Sequence, residues 1–479
     1  AVRSTLRADV QRVATQSLRQ HLAELRGRNV QDGAVVVLDN ATGDVLAWVG
    51  SSGELSRAAA VDAVVAPRQA GSTLKPFLYE QAIEQRWLTA ASVLDDAPTR
   101  LRTPSGLYIP QNYDHDFKGL VTVRTALGAS LNVPAVRTVA MVSPERFARR
   151  LLALGLPIRR AGDFYGYSIA LGSLEVTLLS LTNAYRTLAN GGLASAPRVL
   201  RARAAPHGVR AMDAAASYIV ADILADNGAR VATFGLDNAL ATRYWSAVKT
   251  GTSKDMRDNW CIGFGARYTV GVWVGNASGA PMHAVSGVTG AAPVWRLVMD
   301  AMQRADAPSA REGRPQAGGA GAVAAPAGPL RQAPAAPAGL VERQVDFEAQ
   351  LEPVRSEWFL AGTETAHVAL ASAAGAAARW IASPDDRSVV AIDPDIPPAV
   401  QRLRFETVAP APPGATWRLD AQRLGTAKPL PWPPWPGHHL LELVDAQGRA
   451  LDAVTFDVRG AQVKAPPSKD IAKKSGSPP

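Results

Sequence analysis

Three short stretches carry side chains whose types and spacing suit nucleophilic catalysis by a hydroxyl. The first is Gly71-Ser72-Thr73-Leu74-Lys75-Pro76. At a helix start, residues three apart share a face, so the Ser72 hydroxyl and the Lys75 amine can meet. A serine becomes a nucleophile when a neighbouring base takes its proton. A lysine can be that base once desolvation or nearby cations lower its pKa. The backbone N–H of Ser72 also lies in the positive field of a helix N-terminus. The second stretch is Ser130-Leu131-Asn132, in a Gly128-Ala-Ser turn between helices. A hydroxyl and an amide two residues apart can point the same way from a loop. The third is Lys249-Thr250-Gly251-Thr252-Ser253, after the strand-like run Tyr244 to Val248. Gly251 lets a ligand approach the backbone closely, and one cation with two hydroxyls beside it fits a substrate carboxylate.

Each stretch has an ordinary reading when taken alone. Ser72 can be a helix cap with Lys75 at the surface, Ser130 or Asn132 can cap the helix that opens at Pro134, and Lys249 can end a solvated strand. Their occurrence together makes chance a poor account. Lysine is also scarce: before residue 304 only Lys75, Lys118, Lys249 and Lys254 occur, in a chain that otherwise uses arginine. Arginine cannot readily serve as a base, whereas a buried lysine can lose its proton.

The elements that must position these residues follow from periodicity. Residues 1–30 read as a helix, with Leu6, Val10, Val13, Leu18, Leu22 and Leu25 recurring on one face. Gly33–Asp39 and Asp44–Val49 form an antiparallel hairpin around Asn40-Ala-Thr-Gly43. Helices are expected over 72–85, 135–142, 144–154, 177–190 and 292–302, and strands over 244–248, 259–264 and 269–274. Strands at both ends with helices between them predict an α+β domain over 31–303, its sheet assembled from distant pieces. Residues 304–346, rich in Ala, Gly and Pro, read as a mobile linker. Short strands punctuated by Asp393-Pro394 and Pro412-Pro413-Gly414 predict a small all-β, immunoglobulin-like sandwich over 347–460, and 461–479 reads as a disordered tail.

Composition narrows the function classes. The chain has 479 residues, 47% of them hydrophobic and 19% charged, which is globular rather than disordered. One cysteine, Cys261, excludes an internal disulfide framework and a cysteine-based metal cluster, and reads as a core strand residue. The seven histidines are scattered apart from His438 and His439, which point to opposite faces if they share a strand. No metal or cofactor is expected. The net charge of +9 is spread along the chain, without the aromatic–basic pattern of a nucleic-acid binder, and suits an anionic membrane surface or wall polymer. No run reaches the ~18 apolar residues of a membrane span. No Gly-x-Ser-x-Gly elbow occurs, which disfavours an α/β-hydrolase triad.

Ser-x-x-Lys, Ser-x-Asn and Lys-Thr-Gly in this order form the motif set of penicillin-binding proteins and serine β-lactamases. The match extends to Asp32–Asp39, Arg68–Phe77, Pro110-Gln-Asn-Tyr113, Ala126–Ala135, Leu171–Thr177 and Asn183–Gly192. Over residues 1–303 the chain resembles the transpeptidase domain of class A penicillin-binding proteins. Pro353–Phe359 and Ile392–Pro398 resemble the C-terminal module of the 1C type. Leu131 departs from the Ser-Asp-Asn form, and its side chain is expected to alternate away from the site. The resemblance implies an antiparallel sheet flanked by helices and a D,D-transpeptidase acting on peptidoglycan stem peptides and blocked by β-lactams. It implies Ser72 as nucleophile, Lys75 as its base, Ser130 as proton relay and Lys249 as the cation beside that relay. The oxyanion hole is then the N–H groups of Ser72 and Thr252, and Asn132, Thr250, Gly251 and Thr252 bind substrate. Class A members also carry a membrane anchor and a glycosyltransferase domain, so a periplasmic location with an upstream tether is expected. The C-terminal module is expected to contact wall or a partner protein. The alternatives are a D,D-carboxypeptidase or β-lactamase-like hydrolase, the latter disfavoured because Glu175 lacks the Glu-x-x-Leu-Asn context, and a catalytically idle wall-binding scaffold.

Overall fold

The computed structural model describes residues 2–99, 101–103, 106–112, 116–201, 207–235, 237–305, 333–370, 380–386, 388–391, 402–408 and 410–459. The chain divides into two compact units, one of residues 1–98 and 110–370 and one of residues 99–109 and 371–479.

The first unit is built on a five-stranded antiparallel sheet in the order Ala247–Thr252, Asp258–Phe264, Tyr268–Gly275, Asp32–Asp39, Val45–Val49. The strand near the chain start therefore pairs with one more than two hundred residues later, with Val37 opposite Val270. Every residue of Asp32–Asp39 and Tyr268–Gly275 is buried. Both strands are near-continuous apolar runs because both faces of the sheet are covered. Val10, Ala14, Leu18 and Leu22 of the helix Ala8–Glu24 share one core with Val35, Val37, Val270 and Val272, and with Trp295, Val298 and Met299 of the helix Ala292–Ala305. Each fully buried Val or Leu there is worth about 1.5–3 kcal/mol over leaving it in water. The helix Leu178–Ala189 packs against the same central strands.

Between the sheet-forming ends lie the helices Lys75–Glu84, Val123–Gly128, Asn132–Val142, Pro144–Ala153, Ala214–Ala225 and Asn227–Phe234. The helix Lys75–Glu84 is buried almost all round, as expected for a core helix rather than a surface one. None of the described helices is long and apolar enough to cross a membrane.

Residues 340–370 group with the first unit. The expected linker ended at 346 and the sandwich began at 347. Instead, Leu340–Phe347 pairs antiparallel with Arg355–Leu360 and parallel with His367–Val368, and this small sheet belongs to the first unit. The physical reason is Glu357, which has no exposed surface. Its carboxylate takes two hydrogen bonds from Arg124, at 2.7 Å from Nε and 2.6 Å from Nη2. Asp222 and Asp226 hold the other side of the same guanidinium. A strand that supplies the buried counter-charge of a helix in the first unit cannot be a free tether. Glu357→Ala should lower unfolding free energy by about 1.5–3 kcal/mol, the usual worth of hydrogen bonds to a charged group, because Asp222 and Asp226 still face the Arg124 guanidinium. Denaturant melts check this, with Glu342→Ala on the neighbouring strand as the exposed comparison.

Among the described residues the second unit is all-β. One sheet runs Ser388–Ala391, Ala450–Arg459, Gly437–Val444, Thr416–Leu419, Gln422–Thr426, and another Ile381–Ser383, Leu403–Thr407, Leu430–Trp432. Phe405, Trp417, Trp432, Leu441, Leu443 and Phe456 form its core. The strands Gln422–Thr426 and Leu430–Trp432 were not foreseen, because the first has a single apolar side chain, Leu424, and the second is set among prolines. His438 is exposed and pairs with Asp457, while His439 is buried against Asp420, so the adjacent histidines do face opposite ways. The hairpin Leu101–Thr103 and Gly106–Tyr108 groups with this unit although it interrupts the first unit's sequence. Most of the expected linker, the 392–398 stretch, Tyr113 and the 461–479 tail lie outside the described residues.

Candidate active site

Ser72 is placed by glycine chemistry. Gly71 has φ +57° and Gly172 has φ +72°, and Gly71 N–H donates to the Gly172 carbonyl at 3.2 Å. A Cβ on Gly172 would sit 2.0 Å from the Gly71 oxygen, and one on Gly71 would meet the Thr252 backbone at 2.8–3.1 Å. Only glycines allow both the left-handed turn and this approach. Residues 71–74 form a short 3-10 turn that feeds the helix Lys75–Glu84, so Ser72 stands one turn before the buried helix. Tyr185 Oη fixes the turn by donating to the Thr73 carbonyl at 2.6 Å. The strand Ala247–Thr252 is the sheet edge nearest this turn, with Gly251 lying against Thr73 and Ala70. Ser72 is half-buried, and its hydroxyl has no hydrogen-bond partner among the described residues.

Lys75 is fully buried. Its Nζ donates to the Ser130 carbonyl at 2.6 Å, the Leu131 carbonyl at 2.9 Å and Asn132 Oδ1 at 2.7 Å. Burial first, and the nearby Lys249 cation second, hold its pKa well below the usual lysine range, while Asp96 opposes them. The three donated hydrogen bonds use all three protons of the ammonium, and the lowered pKa makes one of them easier to lose.

Lys249 Nζ donates to Ser130 Oγ at 2.7 Å and to its neighbour's carbonyl, Thr250 O, at 2.9 Å. Ser130 therefore lies between the two lysines, offering its carbonyl to one and its hydroxyl to the other. Its backbone takes φ +62°, an uncommon conformation for a residue with a side chain. Burial, then the Arg230 guanidinium, lowers the Lys249 pKa to about 7, with Cys261 opposing.

That shift has a consequence for stability. The folded-state pKa of Lys249 lies below the ordinary lysine value of 10.5, so the unfolded chain binds more protons between about pH 7 and 10.5. Stability contributed at this site rises with pH across that window and falls as pH drops toward 7. The unfolding free energy of the wild type, measured relative to Lys249→Met, should increase from pH 7 to pH 9. A flat difference would place Lys249 in water.

The remaining expected residues divide into two groups. Leu131, expected to point away from the site, is buried. Asn132, expected to reach substrate, already accepts from Lys75, and its Nδ2 donates to the Gln111 carbonyl at 2.9 Å. Thr252 Oγ1 accepts from Gly287 N–H at 3.0 Å, which leaves its own proton to donate outward. Thr250 is buried next to Gly287. Sequence reasoning missed Arg230, Asp96 and Asn112. Arg230 sits on the unforeseen helix Asn227–Phe234, and no spacing rule links it to Lys249.

Residues 33–285 match the model of the penicillin binding protein transpeptidase domain, and residues 369–456 match the Penicillin-Binding Protein C-terminus Family. Penicillin-binding protein 1C of Escherichia coli (strain K12) is 34% identical over 303 residues, covering 62% of this chain and 38% of that protein. Penicillin-binding protein 1A of Neisseria meningitidis is 35% identical over 287 residues, covering 55% of this chain and 35% of that protein. The chain thus spans a little over a third of the length of these curated relatives. Among solved structures, penicillin-binding protein 1A from Haemophilus influenzae aligns with a TM-score of 0.57 at 22% identity, covering 70% of this chain and 54% of that one. PonA1 from Mycobacterium tuberculosis, solved in complex with penicillin V, aligns with a TM-score of 0.54 at 23% identity, covering 64% and 86%. Those two likenesses speak to the fold. The transpeptidase match itself extends over more than half of the sequence, and the protein therefore belongs to the penicillin-binding proteins that carry a transpeptidase domain.

Proposed function

We propose that the chain is a D,D-transpeptidase that cross-links peptidoglycan stem peptides through an acyl-enzyme on Ser72. In this reading neutral Lys75 takes the Ser72 proton as Oγ attacks the penultimate D-Ala carbonyl. The oxyanion forms against the backbone N–H groups of Ser72 and Thr252. Ser130, polarised by Lys249, passes a proton to the departing amine of the terminal D-Ala. An amine of a second stem peptide then attacks the ester, gives up a proton along the same route and releases Ser72. The hydroxyls of Thr250 and Thr252, with the backbone at Gly251, bind the substrate carboxylate, and Asn132 Nδ2 holds its amide with its remaining proton. A β-lactam acylates Ser72 because its strained amide stands where the scissile amide would.

The observation that carries this reading is Ser130 held between Lys75 and Lys249 beside the glycine-built Ser72 turn. The site works outside the cytoplasm, where stem peptides are, and the C-terminal unit contacts wall or a partner protein. The catalytic domain extends to residue 370. Incubation with a fluorescent penicillin, followed by mass spectrometry of the adduct, tests the chemistry, and an adduct on any residue but Ser72 overturns it. A paired assay of D-Ala release with and without an acceptor amine distinguishes transfer from hydrolysis: product found only as the hydrolysed peptide would make the enzyme a carboxypeptidase.

A further inference from the structure

We propose that Asn112 is a positioning residue for acylation, bracing the turn that carries Ser130 and Asn132 against the buried carboxylate of Asp96 and so holding the acceptors around Lys75. The inference rests on the acyl-enzyme reading above.

The helix Asn132–Val142 opens after Leu131, whose side chain has no oxygen to cap it. The first N–H groups of a helix need an acceptor from elsewhere. Asn112 Oδ1 supplies it, accepting from Asn132 N at 2.8 Å and from Val133 N at 3.4 Å. Asn112 is itself 3% exposed. Its Nδ2 donates to both oxygens of Asp96, at 2.9 and 2.8 Å, and to the Asp116 carbonyl at 2.9 Å. Asp96 ends the strand Val93–Asp96 with no exposed surface, and its other donor is Lys118 N–H at 2.9 Å. No Lys or Arg side chain among the described residues forms an ion pair with it, so hydrogen bonds hold the carboxylate in place. The adjacent Gln111 carbonyl receives Asn132 Nδ2. Two successive residues of the 110–112 segment thus fix the backbone and the side chain of Asn132, and Asn132 Oδ1 then receives Lys75. Through this series a buried aspartate two elements away sets where the base's protons are held.

The test uses the full chain and starts from wild type labelled on Ser72. Asn112→Leu keeps the branched outline of the side chain and removes both hydrogen-bonding ends. It should lower the saturating rate of penicillin acylation about 100-fold, the usual effect of a misplaced reacting group, with little change in half-saturating concentration. Asn112→Asp keeps the acceptor for Asn132 but sets two carboxylates face to face, and should fall as far. Adding Asp96→Asn to Asn112→Asp mirrors the original donor–acceptor pattern and should restore acylation to within about 10-fold of wild type. Melting temperatures correct each rate for the folded fraction.

Lys75 titration, followed by side-chain NMR, reads the same positioning without turnover. The charged or titratable groups around Lys75 are Lys249 from the edge strand, Asp96 from the strand Val93–Asp96 and Tyr79 one turn along its own helix. Loosening the turn admits water, so Asn112→Leu should move the Lys75 pKa up toward its ordinary value and shift the acid limb of the acylation profile to higher pH. A folded Asn112→Leu protein that acylates within about 3-fold of wild type with unchanged Lys75 titration overturns the proposal, and so does a double variant no better than Asn112→Asp alone. If wild type gives no Ser72 adduct, the functional reading fails, and the NMR titration still decides whether Asn112 positions Lys75.

Discussion

Replacing Ser72 by alanine is expected to abolish penicillin acylation while leaving the fold intact. The hydroxyl has no hydrogen-bond partner among the described residues, so removing it breaks no bond that supports the turn. The conformation there depends on Gly71, Gly172 and the Tyr185 hydroxyl, none of which the change touches. Loss of a nucleophile that acts with its base as a unit typically costs about 10⁴–10⁶-fold in rate. Gel fluorescence and intact mass should show no stoichiometric adduct, and the thermal midpoint should stay within about 2 °C, in keeping with a surface-like change. Retained labelling at another serine would reject Ser72. Slow turnover of a noncovalently held β-lactam would not, because the Lys249 and Thr252 side of the site is intact.

The site was legible in the sequence to the extent that its chemistry is local. Ser72 and Lys75 lie on one turn, and Lys249 through Thr252 lie on one strand, so a spacing rule places them. The strand ran further than expected, Ala247–Thr252 rather than 244–248, because pairing from Ala247 opposite Phe264 to Thr252 opposite Asn259 carries through residues with no apolar pattern. The hairpin of Asp32–Asp39 with Val45–Val49 was readable from its continuous apolar run. Its place at one side of the sheet, with Val45–Val49 as the edge, was a matter of pairing with Tyr268–Gly275, which no local signal encodes.

What stayed hidden depends on partners far apart in sequence. Glu357 reads as one more charge in an exposed strand until Arg124 is placed against it. Asn112 lies in a stretch that matched the family text but suggested no role, because its partners are a backbone N–H of Asn132 and a carboxylate at 96. The acceptors of Lys75 include two main-chain carbonyls, which have no sequence signature at all.

The two lysines should respond differently to substitution, and the environment of each says how. Lys75→Met removes the base and leaves the Ser130 and Leu131 carbonyls and Asn132 Oδ1 without their donor. General-base catalysis contributes about 10²–10⁴-fold, so acylation should fall by at least that much. Lys75→Arg should do no better. Arginine keeps the charge but has no accessible neutral form, so it cannot take the Ser72 proton even where its donors reach the acceptors that Lys75 served. Lys249→Arg keeps a cation and a donor within reach of Ser130 Oγ at the edge strand, so the relay stays polarised and the loss should be smaller, on the order of 10-fold for one weakened hydrogen bond to a charged group. In the wild type, acylation should rise with pH as Lys75 loses its proton, and this limb should vanish in Lys75→Arg and persist in Lys249→Arg. Stopped-flow acylation between pH 5 and 9, with thermal melts to confirm folding, reads all three variants. Equal losses in Lys75→Arg and Lys249→Arg would mean that the proton from Ser72 leaves by another route, through Ser130 toward Lys249, and the division of roles between the lysines would have to be reversed.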